Sequence, residues 1–168
     1  MDPHLEKLQR EIASITAGVS AQRLTWHPPG KWCGAEVLEH LYLTYTGTIK
    51  GFERMAQAGG PRIQAASWAQ RGRKLIVLGL SYLPSGREAP TFTRPRGLPI
   101  EGILGGIGSK IAEMDEVIER CEKQFGPRTQ LLDHAILGPL TASEWRKFHL
   151  VHGLHHIKQI RRLQRKES

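Results

Sequence analysis

The stretch FHLVHGLHHIKQIRR, from Phe148 to Arg162, gathers four of the eight histidines of this 168-residue chain. Imidazole is the commonest side-chain ligand for transition-metal ions and the only side chain whose ordinary pKa lies close to neutral pH. Which chemistry is available depends on which rings share a helix face. At about 100° per residue, with His152 at zero, His156 falls at roughly 40°, His149 at roughly 60° and His155 at roughly −60°. His149, His152 and His156 therefore share one side and His155 stands apart. His152 and His156 have the i, i+4 spacing that brings two imidazoles to one ion. His149 and His156 are two turns apart, about 10 Å of rise, too far for a single ion. The pair is thus either His149/His152 or His152/His156, and His152 belongs to both.

Two ligands make a weak site, so a third must come from another element. The segment AEVLEHLYLTY offers His40, which on a helical wheel borders an apolar stripe, with Val37 and Thr44 as its nearest neighbours. The wheel leaves open whether it points inward or to water. A buried histidine has to find a hydrogen-bond partner or a metal. The competing reading of a histidine-rich basic helix is a solvated face that holds no ion.

Four long helices must position these residues. The first is expected from Pro3 to Ala17, with Pro3 suited to the first turn and Leu5, Leu8, Ile12 and Ile15 at helical spacing. RLTWHPPGKW (Arg23–Trp32) reads as a loop, because two prolines and a glycine stop a helix. Gly34–Gln57 reads as a second helix, with Val37, Leu38, Leu41, Tyr45, Ile49 and Phe52 forming a continuous stripe. Arg71–Pro84, which contains LIVLGL, fits a helix or a short strand equally well. Pro84–Pro99 is a long proline-rich loop, of a length usually tied to function or mobility. A third long helix fits Glu101–Phe125, followed by a connector over Gly126–Leu140. The last helix begins at Thr141, where TASE is a T-x-x-E capping box, and runs to about Arg165. Four such helices imply an all-α antiparallel four-helix bundle, whose core can converge polar side chains from facing helices.

Length and composition agree with one domain, residues 1–168, that can bury a real core. Apolar residues make up 39% and charged residues 24%, values ordinary for a folded protein and wrong for a disordered one. The net charge of +8 permits an anionic partner without identifying one. Cys33 and Cys121 are too few for a disulfide framework and lack zinc-knuckle spacing. The start, MDPHLEKLQREI, is charged and amphipathic, unlike a signal peptide. The longest apolar run, LIVLGL, is far short of the ~20 residues that span a bilayer. A cytoplasmic protein without a membrane partner is the expectation. The basic end, with Lys158, Arg161, Arg162 and Arg165, is favoured by the dipole of a helix C-terminus. Nothing resembles a recognition helix or a base-stacking platform, which argues against nucleic acid.

Two segments, GKWCGAEVLEHL (Gly30–Leu41) and HAILGPLTASEWRKFHLVHGLHHIKQI (His134–Ile160), resemble the DinB/YfiT-like superfamily of metalloenzymes, in particular its small bacterial branch with an HxxHHxxQ ending. The likeness follows element order over nearly the whole chain, and these two segments carry it. The resemblance implies an up-down-down-up bundle, often a homodimer. It also implies a divalent metal, commonly nickel or zinc, on three histidines with open coordination positions. Carried over by position, the ligands are His40, His152 and His156. The resemblance thus points His40 inward and disfavours the His149/His152 pair. Relatives often have serine where Cys33 stands before Glu36. A thiol caps poorly, while a helix N-terminus lowers a thiol's pKa, so a tolerated substitution and a reactive thiol are the two readings there.

Three neutral imidazoles leave a divalent ion its full charge and room for water or substrate. That suits polarising a carbonyl, activating water or holding a thiolate. The superfamily includes transferases and isomerases that use low-molecular-weight thiols. The expected function is therefore a metal-dependent thiol transferase or hydrolase acting on a small molecule. The alternative is a bundle that keeps the metal for stability alone. Glu36 and Thr44, one turn either side of His40, and Gln159, one turn beyond His156, are candidates to orient the imidazoles. His149 is a candidate for the rim of the site.

Overall fold

Asp2 opens the first helix, α1 (Pro3–Thr16): its carboxylate accepts the His4 amide, and Pro3 takes a first-turn position where no amide is needed. This start belongs to a computed structural model that describes residues 1–27, 29–84 and 88–166, the Lys166 side chain excepted. The loops read from sequence at Arg23–Trp32 and Pro84–Pro99 include Pro28 and residues 85–87, which lie outside the described residues. Leu5, Leu8, Ile12 and Ile15 form the buried face of α1. A one-turn helix, α2 (Ala21–Leu24), capped by Ser20, occupies the start of the expected loop and drives Leu24 into the core.

The helix α3 (Gly34–Gln57) begins where the Cys33 amide donates to Glu36 Oε2 at 2.8 Å. The ambiguous apolar segment is helical: α4 (Trp68–Lys74), with Ser67 and Gln70 forming a capping box, runs into a π-helical turn over Leu75–Gly79. That turn buries Val77 and Leu78 and leaves Leu75 outside. A 3-10 turn, Thr91–Thr93, interrupts the proline-rich loop. The helix α5 (Ile100–Phe125) includes the glycine-rich start, and α6 (Ala142–Lys166) starts at the TASE box. There the Glu144 amide donates to Thr141 Oγ1 at 3.3 Å, and the Thr141 amide donates to Glu144 Oε2 at 2.9 Å.

The structure is mostly helical, consistent with an all-α class. One element departs from that expectation. The connector after α5 contains a small antiparallel hairpin, β1 (Leu132–His134) with β2 (Gly138–Leu140), in which Leu132 pairs with Leu140. Its turn is fixed by side-chain acceptance: His134 Nδ1 takes the amides of Ile136 and Leu137 at 3.1 and 3.2 Å. Gly138 then adopts a φ of 75°, open to glycine at no steric cost. Three-residue strands are too short to show period-two alternation, so the sequence carried no strand signal.

The main packing joins α3 to α5 and α1 to α6, with α1 also meeting α5 and α3 meeting α6. Between these helices lie Leu5, Leu8, Tyr45, Phe52, Ile111, Met114 and Ile118. One buried ion network joins three of the helices. Arg146 of α6 donates to Asp115 at 2.8 Å and to Glu122 at 2.6 Å, both on α5. Asp115 also accepts the Asp2 amide at 2.7 Å, at the start of α1. Removing one member of such a set leaves an uncompensated buried charge, typically a loss of about 3–5 kcal/mol. No helix is long and apolar enough to cross a membrane among the described residues.

Candidate metal centre

The side chains of His40 on α3 and of His152 and His156 on α6 meet where those two helices face each other. His40 Nε2 lies 3.3 Å from His152 Nε2, and His156 Nε2 lies 3.1 Å from the same atom. His40 and His156 are buried, and His152 is partly buried with its Nδ1 closed off from solvent. Phe148 stacks on His152 with ring centroids 5.4 Å apart, and the Trp32 ring lies 5.4 Å from that of His40.

The outer nitrogens fix the protons. His40 Nδ1 is 2.9 Å from the carbonyl oxygen of Thr93, which can only accept, so the ring donates there and its Nε2 carries a lone pair. His156 Nδ1 donates to Gln159 Oε1 at 2.8 Å, which likewise turns the Nε2 lone pair inward. Gln159 Nε2 then donates to His155 Nε2 at 3.2 Å, and His155 bonds to the Leu83 backbone. His155, which the wheel set apart, thus supports a ligand through Gln159.

Burial holds the imidazoles of His40, His152 and His156 below the ordinary histidine range, His156 at about 3. The neighbouring rings push His152 and His156 down further. Three neutral rings then bring two fixed lone pairs onto His152 Nε2, which has one proton at most to offer. Its Nδ1 has no hydrogen-bond partner among the described residues. Left to itself this is a poorly satisfied polar cluster. A cation at its centre answers the problem. Nitrogens about 2.0–2.1 Å from a tetrahedral ion stand about 3.3 Å from one another, close to the separations observed. All three ligating atoms lie within 4.8 Å of one another, so the group could hold a metal ion.

The other sequence candidates are placed differently. Glu36 receives the Cys33 amide and, at 3.2 Å, His27 Nε2, so its carboxylate serves the start of α3. Thr44 donates its hydroxyl to the His40 carbonyl at 2.8 Å, a bond along the helix and not to the imidazole. His149 is no rim residue: it is fully buried, 3.2 Å from Thr48 Oγ1, and held at about 3 by burial. It packs between Tyr45, Trp145 and Phe148 as a core histidine. Gln159 alone of the four holds a ligand ring. Burial pushes the Cys33 thiol up, which argues for the tolerated substitution over the reactive thiol. His27, Cys33 and Glu36 also lie close together, but the cap and the exposed His27 already use that carboxylate.

Sequence reasoning missed Glu39 and Thr93. Glu39 is 2% exposed, and its carboxylate accepts the amides of Arg96 at 2.7 Å and Gly97 at 3.1 Å. Its adjacency to His40 was visible, whereas the return of the proline-rich loop onto α3 was not.

Fold and site together define a mostly helical protein with a three-histidine centre between its second and last long helices. A family model described as "Protein of unknown function (DUF1569)" matches residues 107–163. That span takes in most of α5, the hairpin and α6 through both His152 and His156, and leaves out His40. No curated protein and no solved structure matches the chain.

Proposed function

We propose that the chain is a metal-dependent enzyme of the DinB/YfiT-like kind, with a divalent ion, nickel or zinc, on His40, His152 and His156. In this reading α1, α3, α5 and α6 form an up-down-down-up four-helix bundle. The reaction is thiol-dependent transfer or hydrolysis on a small molecule, and the working form is a homodimer. The observation that carries the reading is the convergence of the three Nε2 atoms, with two lone pairs fixed inward by Thr93 and Gln159. Burial keeps all three rings neutral, the form that binds metal.

A bound divalent ion would supply Lewis acidity and a position for a thiolate or water beyond its three protein ligands. The residues of the chain do the rest. Thr93 and Gln159 set the tautomers of His40 and His156, and Phe148 and Trp32 exclude solvent from two sides of the cluster. A donor set of three leaves a tetrahedral ion one position short of closure, which favours catalysis over a purely stabilising metal.

The test is metal analysis by plasma mass spectrometry of protein prepared without chelator. The expected content is about one divalent ion per chain. His152→Ala should lose nearly all of it, His149→Ala should keep it, and His155→Ala should keep most. Equal content in the parent protein and His152→Ala ends the proposal.

A further inference from the structure

Buried carboxylates are rare unless they are paired or hydrogen-bonded. Glu39 is buried, and the bonds that satisfy it come from two consecutive backbone amides, those of Arg96 and Gly97. Gly97 has a φ of 84°. Successive amides with the second residue in this region make a concave anion cradle, and here the anion is a side chain of α3. Three residues earlier, the same loop presents the Thr93 carbonyl to His40 Nδ1 at 2.9 Å. Thr93 is itself fixed by a turn in which its hydroxyl donates to the Pro90 carbonyl at 3.0 Å. Adjacent residues of α3 therefore grip the two ends of one short segment, 93–97. Glu39 holds one end as an anion, and His40 holds the other as a donor.

We infer that Glu39 is a positioning residue of the metal centre: by clasping the Arg96–Gly97 amides it sets the Thr93 carbonyl that keeps His40 Nε2 facing the ion, so metal affinity and order of the 93–97 segment are coupled. The inference rests on the proposed metal site. Coupling is reciprocal. Metal held by His40 strengthens the Nδ1–H bond to Thr93, and a segment anchored by Glu39 presents that carbonyl at no further ordering cost. Glu39 touches no ligand atom, and its effect passes through the loop.

The experiment pairs zinc affinity, by competition with a chromogenic chelator, with limited trypsin cleavage of the intact protein. Trypsin can cut Arg96–Gly97, at the clasped amides, while Arg94 is shielded by Pro95. Arg128–Thr129, in the turn after α5, serves as an internal reference. In the parent protein, zinc at site-filling concentration should slow cleavage at 96–97 relative to 128–129, and in His152→Ala it should not. Glu39→Gln should weaken zinc binding about 10-fold, the usual scale for losing an outer partner of a ligand, and speed cleavage at 96–97. Gly97→Ala attacks the cradle from the loop side. Its Cβ meets nothing within 4 Å among the described residues, so the disturbance there is in the left-handed backbone. It should weaken zinc in the same direction with helical circular dichroism unchanged.

Faster cleavage in both variants with parental zinc affinity would overturn the coupling and leave the metal site standing. Weaker zinc without faster cleavage would overturn the route through the loop. Parent protein that binds no zinc would overturn the site reading and the coupling with it. If Glu39→Gln does not fold, Gly97→Ala decides the question from the loop side of the clasp: parental zinc affinity there would overturn the coupling.

Discussion

Gly153 and Leu8 are in such close contact that a Cβ built at position 153 would stand 2.2 Å from Leu8 Cδ1. The contact lies between α1 and α6, and glycine is what lets Leu8 sit so close to the α6 backbone. Leu8 is fully buried, so it has no free rotamer to retreat into. Gly153→Ala should therefore destabilise the protein by about 1–3 kcal/mol through overpacking, against a helix-propensity gain of about 1 kcal/mol. Gly105, on α5, has nothing within 4 Å of its built Cβ among the described residues. Gly105→Ala should stabilise by about 0.5–1 kcal/mol. Urea unfolding of the two variants checks the opposite signs, and a stabilised Gly153→Ala would refute the packing account.

His134, which is not one of the candidate ligands, makes stability pH-dependent. Burial holds it at about 4, and its Nδ1 accepts two hairpin amides that a protonated ring could not accept from. The unfolded chain protonates first, near pH 6.5. The stabilising contribution is thus complete above that value and is lost as pH falls from about 6.5 toward 4, about 3 kcal/mol in all. His149 titrates lower in the same core and adds to the loss. His134→Gln should have a shallower dependence over this window than the parent. Denaturant midpoints at pH 7.5, 6, 5 and 4.5 give both slopes, and parallel curves would refute the assignment.

The proposed homodimer needs a face, and the apolar stripes of α3 and α5 cannot supply it because they pack on each other. Large apolar side chains lie exposed elsewhere, at Trp68, Leu75, Leu80, Tyr82 and Phe92. These are the side chains a dimer contact would have to cover. Light scattering at micromolar concentration should give twice the chain mass of 18.9 kDa. Leu80→Lys with Tyr82→Lys should return the monomer mass, and a parent protein already at the chain mass would rule out the dimer.

Local signals carried the long helices. The bounds of α3 and the start of α6 follow from Pro, Gly and capping residues next to strong apolar spacing, and such features act within one turn. The i, i+4 spacing of His152 and His156 belongs to the same class, since a helix alone puts those rings on one side. What the sequence left open depends on contacts made across the fold. The direction of His40 was undecided because α3 is buried on several faces, one of them covered by the 93–97 segment. Glu39 sat on a wheel position that reads as solvent-facing, and only the returning loop buries it. LIVLGL was undecided because a run without polar residues has no period to read. His149 shares a face with His152, yet α6 passes α3 one turn closer to its start there, and Thr48 and Tyr45 meet it instead.

The indole of Trp32, 5.4 Å from the His40 ring, gives the protein a light source beside its histidine cluster. An open-shell ion such as nickel quenches a nearby excited indole, whereas closed-shell zinc does not. Nickel or zinc added to the protein would thus leave different fluorescence yields from the same fold, and the indole beside His40 would tell the two ions apart.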